Sequence, residues 1–444
     1  MSLARVAAPS RSSVLRAASA AAPARRAFTT QQANGIPVAA VDDGSPTSSV
    51  TVALRAGPRY ESIPGVANAL KHFLFKSNEK RSALRLVRES ELYGGLLSSS
   101  ISKENLYITA EFLRGDEDYF VEILGDVLAS SKFAAHEFNE EVLPAIRGEY
   151  EQVSSIPQVF GFDVLTQTAY RQRGLGASLF ASPASPITAK DAASYGRAAF
   201  AKSNLAVLGT GVDAGKLASL VSKSFANVPA SSQGLKAGPS TYHGGEQRVA
   251  FVPAHSDSSH AHHGHFFLGF QGGPGPEYAV LRSLLGGQSS VKWSKGLSPL
   301  SSITSQSRGA SAEAFNLAFS DSGLVGAYVT GPHATLSTVA REVGNAFKSA
   351  AGGVSSEDLQ RAKAKAKFEA AAALESRETV RDVVGSALLQ GGAGVKSTED
   401  VFKQLEGVKA SAVSAAAEKA LKGKATTVAI GDVHALPYAD DVLA

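Results

Sequence analysis

Cysteine is absent from all 444 residues, and methionine and tryptophan occur once each. No disulfide can staple this chain, no thiolate can hold a metal, and no cysteine can act as a nucleophile. Long apolar runs are lacking too. None approaches the roughly 20 residues needed to span a bilayer, so no membrane-crossing helix is predicted. Acid is missing from the first 28 residues, which carry five arginines (Arg5, Arg11, Arg16, Arg25, Arg26) among many Ser and Ala. By composition that segment is a mitochondrial transit peptide, and a cut after Phe28 is expected, with an arginine shortly before the cleaved bond. Without it, 39 basic residues face 40 acidic ones, so the formal charge of +4 is set by the leader. No basic cluster is interleaved with aromatics, so no nucleic-acid partner is predicted.

The remainder has the composition of a globular protein, 44% hydrophobic and 7% aromatic, with length enough for two domains. After a polar entry at 29–46, strands are expected at Gly35–Val41 and Ser49–Ala56. Helices follow at about 64–77 and 81–93, then a strand pair at Leu97–Ser102 and Asn105–Leu113. Apolar residues at helical spacing predict helices over Asp116–Ala129, Ala134–Ser154, Ile156–Tyr170 and Thr188–Phe200. Strand Asn204–Thr210 and helix Ala214–Asn227 close this half. Residues 231–246, rich in Ser, Gly, Pro and Lys, read as a linker.

The pattern then restarts. Strands are expected at Arg248–Pro253, His265–Gln271, Phe315–Phe319, Gly323–Thr330 and Thr426–Gly431. Helices are expected from Glu277 to Leu285 and over Thr335–Ala351, Ser355–Glu375, Glu378–Gln390, Ser397–Leu405 and Ala410–Leu421. NLAVLGTGVD matches TTVAIGDVHA, and FAAHEFNEEVLPAIRGEYEQV matches VSSEDLQRAKAKAKFEAAAAL. The chain is therefore read as an internal duplication with a period near 200 residues: leader 1–28, first domain 29–230, linker 231–246 and second domain 247–444.

The chemistry-bearing stretch is Asn68-Ala-Leu-Lys71-His72, on the helix that opens after Pro64. Its spacing is that of the inverted zincin frame H-x-x-E-H, in which two histidines one turn apart hold Zn²⁺ and the glutamate activates bound water. Here the first histidine is replaced by Asn68 and the glutamate by Lys71; only His72 remains. An amide is a poor zinc ligand, and an ammonium repels the cation and accepts no proton. Around the frame lie Gly57-Pro-Arg59-Tyr60-Glu61, Phe75-Lys76, Glu91-Leu-Tyr93-Gly94-Gly95 and Ser102-Lys-Glu104-Asn-Leu-Tyr107.

These runs, in this order, resemble the mitochondrial processing peptidase and complex III core protein family, relatives of the pitrilysin-type zinc peptidases. The resemblance implies an α+β fold, two homologous mixed α/β domains enclosing a central cavity, each a mixed sheet with helices on one side. Aligning Phe162-Asp163, Leu165 and Thr168-Ala169-Tyr170 with the family's corresponding run places its third zinc ligand at Glu149 and a further family glutamate at Val142. Two of three ligands thus survive in type, while one ligand and the general base are gone. The resemblance implies no catalytic residue, no bound metal and no cofactor, with Asn68, Lys71, His72 and Glu149 as the degenerate positions.

Three further runs carry weaker signals. His255, His260, His262, His263 and His265 form a histidine-rich tract that can bind metal adventitiously but flanks an expected strand. Gly209, Gly211 and Gly215 follow a strand and open a helix, yet with GxGxxxG spacing and no βαβ unit with a downstream acid they read as a turn. Residues 284–300, LLGGQSSVKWSKGLSPL, have fewer glycines than the presequence-handling loop of the processing peptidase α subunit, and they carry Lys292, Lys295 and the lone Trp293. They resemble the complex III branch of the family instead. That branch implies a subunit on the matrix side of the mitochondrial inner membrane, in a dimeric complex. It would pair with core protein 1, support cytochrome b, cytochrome c1 and the iron–sulfur subunit, and have no haem, quinone or iron–sulfur ligands of its own. The alternative is the non-catalytic, substrate-binding α subunit of the processing peptidase.

Overall fold

The computed structural model describes residues 28–230, 235–251, 263–287, 296–391 and 397–443. The first half runs β1 (Thr29–Ala33), β2 (Ile36–Val41), β3 (Thr47–Leu54), α1 (Val66–Phe73), α2 (Ala83–Leu92), β4 (Leu96–Ile101), β5 (Leu106–Leu113) and α3 (Glu117–Ser130). It continues with α4 (Ala135–Glu137), a π turn (Phe138–Val142), α5 (Leu143–Ser154), α6 (Pro157–Ala169), α7 (Ala189–Ala199), β6 (Leu205–Thr210) and α8 (Ala214–Ser224). The second half runs β7 (Gly245–Ala250), β8 (His263–Gly272), α9 (Pro276–Leu285), α10 (Pro299–Gln306), β9 (Ser311–Ala318), β10 (Gly323–Pro332) and α11 (His333–Gly352). It ends with α12 (Ser356–Ala373), α13 (Arg377–Leu389), α14 (Thr398–Gly407), α15 (Ala410–Lys422), β11 (Thr426–Gly431) and α16 (Ala439–Leu443).

The duplication is plain in the topology. The first sheet has strand order β1-β2-β6-β3-β5-β4 and the second β7-β11-β8-β10-β9. In both, one pair is parallel (β2 with β6, β7 with β11) and the next three pairs are antiparallel. The first sheet adds only β1, which pairs antiparallel with β2.

Each half's own helices cover one face of its sheet, as the family resemblance implies. The opposite face is not left bare: it carries one helix from the other half. α6 lies on β11 and β8, and α13 lies on β6, β3 and β2. The alternation along the strands explains why. Val50, Val52 and Leu54 of β3 enter the first core with α3 and α8, while Ala53 between them joins Tyr107, Ala206, Leu208, Val384 and Leu388 under α13. In β8, Phe266, Leu268 and Phe270 fill the second core while Phe267 meets Val164 and Leu165 of α6. Strands apolar on both faces need a cover on both faces.

The close approach of these helices depends on glycine. A Cβ on Gly161 would stand 2.2 Å from the Phe267 ring, and one on Gly385 would stand 3.1 Å from Tyr107. An ionic cluster around the buried Arg59 also joins the halves. Arg59 meets Glu104 at 2.5 Å in its own half, and Asp321 at 2.6 Å and Ser320 at 2.8 Å in the other. Asp321 also accepts from the Ser240 amide. Burial alone would raise the Asp321 pKa, but the Arg59 guanidinium and the Ser240 amide hold it below the usual range.

Several boundaries differ from expectation for visible reasons. α1 stops at Phe73 rather than running to 77, because Leu74 leaves in an extended conformation and Phe75 turns with a left-handed φ of 63° to pack against the first core. The predicted helix over 134–154 contains a π turn, immediately ahead of Pro144, whose missing N–H and ring clash forbid the regular bond to residue 140. The supposedly polar entry supplies β1, and β7 already pairs Gly245 with Thr426 inside the expected linker. α10 was not foreseen.

Gly161→Val is expected to lower the midpoint of thermal unfolding, with an overpacking cost of about 1–3 kcal/mol. Gly148→Ala, on a helical glycine with nothing within 4 Å, is expected to stabilise the fold by roughly 0.5–1 kcal/mol and so raise that midpoint. Equal effects from the two would argue against the α6 seat on the second sheet.

Candidate functional site

α1 opens behind a capped turn. Glu61 accepts from the Gly65 amide at 3.1 Å and the Ala67 amide at 3.3 Å, where the helix dipole favours a carboxylate. Burial nonetheless outweighs these bonds and pushes the Glu61 pKa up to about 7. This carboxyl lines a cavity of about 610 Å³ together with Tyr150, Phe160, Asp163, Arg173 and, from the second half, Gln247. At its wall Asp163, 3% exposed, pairs with Lys103 at 2.6 Å.

One helical turn sets the chemistry. Residues 68, 71 and 72 share the face of α1 that meets α5, and all three side chains converge on Glu149. Lys71 Nζ lies 2.5 Å from Glu149 Oε1, His72 Nε2 lies 2.7 Å from Oε2, and Asn68 Nδ2 donates to Oε2 at 2.9 Å. The Asn68 amide also donates to the Leu179 carbonyl at 3.2 Å. Its Oδ1 is buried with no hydrogen-bond partner, so the amide is oriented by the carboxylate at a cost. Burial acts to raise the Glu149 pKa, but bonds from His72, Lys71 and Asn68 and the Lys71 charge overcome it and hold it near 2.

The structure therefore brings Asn68, Lys71, His72 and Glu149 together. Val142 stands apart, packed with Phe73, Phe138 and Ile146 in an apolar cluster. The four residues do not fit a zinc ion. His72 and Glu149 are the only zinc ligands of ordinary strength among them, the Asn68 amide oxygen being a poor one; both Glu149 oxygens already accept from nitrogen, and an ammonium sits against the carboxylate. The arrangement can hold two helices together; it has no group to activate water.

A counterpart in the second half was not read from the sequence. On α9, Arg282 Nη1 lies 3.3 Å from Glu369 of α12 and Ser283 Oγ donates to the same oxygen at 3.0 Å. α9 and α12 correspond by topology to α1 and α5, so both halves tie this helix pair through a glutamate. The second tie is more exposed and contributes less. No spacing in the sequence marks it, since Lys71 and Glu149 stand 78 positions apart and Arg282 and Glu369 87.

Among the described residues the other runs assemble no site. His255, His260, His262, Lys292, Trp293 and Lys295 lie outside the described residues. His263 and His265 lie on β8, where His265 Nδ1 is 2.7 Å from the Tyr328 hydroxyl. Gly211, with φ of 70°, forms the turn before α8, whose N-cap is Asp213. Among the described residues no group of three or more His, Cys, Asp or Glu side chains could hold a metal ion.

A duplicated mixed-sheet fold with this altered ligand set defines a peptidase-like scaffold. A family model described as insulinase (peptidase family M16) matches residues 37–182, and one described as the peptidase M16 inactive domain matches 186–366. Two relatives named mitochondrial cytochrome b-c1 complex subunit 2 match nearly end to end. That of Cryptococcus neoformans is 42% identical, covering 94% of this chain and 95% of its own. That of Neurospora crassa is 40% identical, covering 96% and 93%. The human protein of the same name is 27% identical over 93% of this chain and 91% of its own. The chain belongs to the family of mitochondrial cytochrome b-c1 complex subunit 2.

The depressed Glu149 pKa has a definite sign. Folded near 2 and ordinarily 4.5, the group adds stability above pH 4.5 that is lost as pH falls toward 2. Over that window it is worth about 3 kcal/mol. Urea unfolding at pH 7 and pH 3 is expected to show about 2 kcal/mol of this loss in the wild type and a smaller one in Glu149→Gln. Asn68→His with Lys71→Glu removes the ammonium and adds an imidazole. That double variant is expected to retain about one zinc above the wild-type background in metal analysis after dialysis. Retention of no extra zinc would count against the frame.

Proposed function

We propose that the chain is a non-catalytic structural and assembly subunit of mitochondrial ubiquinol–cytochrome c reductase, complex III, on the matrix side of the inner membrane. The carrying observation is the Lys71–Glu149 ion pair, in a chain that matches cytochrome b-c1 complex subunit 2 proteins nearly end to end. Lys71 stands where hydrolysis would need a carboxylate, so this reading gives the chain no peptidase step. In this reading residues 1–28 are the leader, 29–230 and 247–444 the two homologous domains, and 231–246 the linker, whose last two residues already pair with β11.

The work of such a subunit is burial of protein surface. In this reading it pairs with core protein 1 and supports cytochrome b, cytochrome c1 and the iron–sulfur subunit. Electron transfer from ubiquinol to cytochrome c belongs to those partners. Among the described residues no helix is long and apolar enough to cross a membrane, which fits attachment through other subunits. Leu84, Val87, Leu92 and Leu96 on α2 and the start of β4 are each more than half exposed, and an apolar patch of this kind suits contact with another protein. The processing peptidase α-subunit reading is set aside, because the full-length relatives carry the complex III name.

Affinity purification of the tagged chain from detergent-solubilised mitochondria is expected to bring down b- and c-type haem absorbance. Recovery with a presequence-cleaving partner and no haem would refute the assignment.

A further inference from the structure

β1 is an edge strand with an unusual attachment. Among the described residues it pairs only with β2, and Thr29, Thr30, Gln31 and Gln32 are exposed while Ala33 is buried. A short edge strand with four exposed polar side chains has little apolar burial to hold its N-terminal end. That end is held by the residue before it. Phe28 packs against the cluster of Ala39, Ala53, Tyr107, Ala206, Leu208, Val384, Leu388 and Leu389. The cluster is the seam where α13 of the second half covers the first sheet. Phe28 therefore belongs to the folded unit, and pins the start of β1 to the junction between the halves.

We propose that maturation cuts the bond between Ala27 and Phe28, so that the mature chain begins with Phe28 and keeps this anchor. The inference rests on reading the arginine-rich segment as a removable leader. It moves the expected cut one residue upstream. Arg26 then stands second before the cleaved bond, with Ala27 between. The step is a hydrolysis by a separate peptidase: water adds across the amide, Ala27 leaves with a carboxylate, and Phe28 keeps the new amine. A cut after Phe28 would discard the aromatic ring and start the chain at Thr29, already in register with Ala40.

Intact-mass and N-terminal peptide analysis of the subunit from the assembled complex tests the bond. A start at Phe28 is expected. A start at Thr29 or beyond overturns the anchor, and a start between residues 3 and 27 overturns the assigned bond. A start at Met1 or Ser2 overturns the leader reading itself. Phe28→Ala and Phe28→Leu, with their N-termini defined by the same mass measurement, test the anchor by hydrogen exchange in the complex. Amides of residues 29–32 should exchange roughly tenfold faster with alanine and close to the wild-type rate with leucine. Unchanged exchange in Phe28→Ala would overturn the proposal.

Discussion

The structure depends on a reciprocal exchange of helices between two sheets. α6 leaves the first half to lie on the second sheet, and α13 leaves the second half to lie on the first. Neither sheet can dispense with its visitor, because Phe267, Leu324, Val428 and Ile430 on one side and Ala53, Tyr107, Ala206 and Leu208 on the other would face water. Burying one such aromatic fully is worth about 1.5–3 kcal/mol, and several residues share each seam. Hydrogen bonds add direction to the α13 seam: Asn105 donates to Ser386 at 2.8 Å, and the Tyr107 hydroxyl lies 3.2 Å from the same oxygen. Each half completes the other, which makes the duplication a requirement of stability rather than a repeat of two independent domains.

Within that frame the α1–α5 contact reads as a converted metal site. A metal-binding carboxylate is costly to bury alone, and Glu149 is half-buried. Lys71 supplies the compensating charge from the helix itself, with His72 and Asn68 saturating the second oxygen. The result trades water activation for a fixed helix pair. The second half shows the same solution in weaker form with Arg282, Ser283 and Glu369, so a glutamate tie between these two helices accompanies the fold in both copies. The orphaned Asn68 Oδ1 marks the remaining cost of the substitution.

Much of this was legible in order and little in distance. The period-2 and period-3.6 patterns located most of the elements, and the matched runs located the duplication. The five-residue frame named Asn68, Lys71 and His72 because helix geometry puts i, i+3 and i+4 on one face. Glu149 came through family resemblance alone, since nothing local ties a residue on α5 to α1. Pro144 was visible, but its consequence, a π turn, depends on how the helix packs on either side of it. The short edge strand β1 was missed because its side chains are polar, and its pairing is a property of backbone and of Phe28.

The sequence by itself determined most of the elements, their order, the doubled plan and the loss of hydrolytic chemistry, because periodicity and residue type are local facts carried by the chain. Only the tertiary structure decided that each half roofs the other's sheet, that Arg59 reaches Asp321 across the junction, and that the lysine ammonium rests on the glutamate. Those depend on which surfaces meet. Two strands apolar on both faces look alike in sequence whether the cover comes from their own half or from the other.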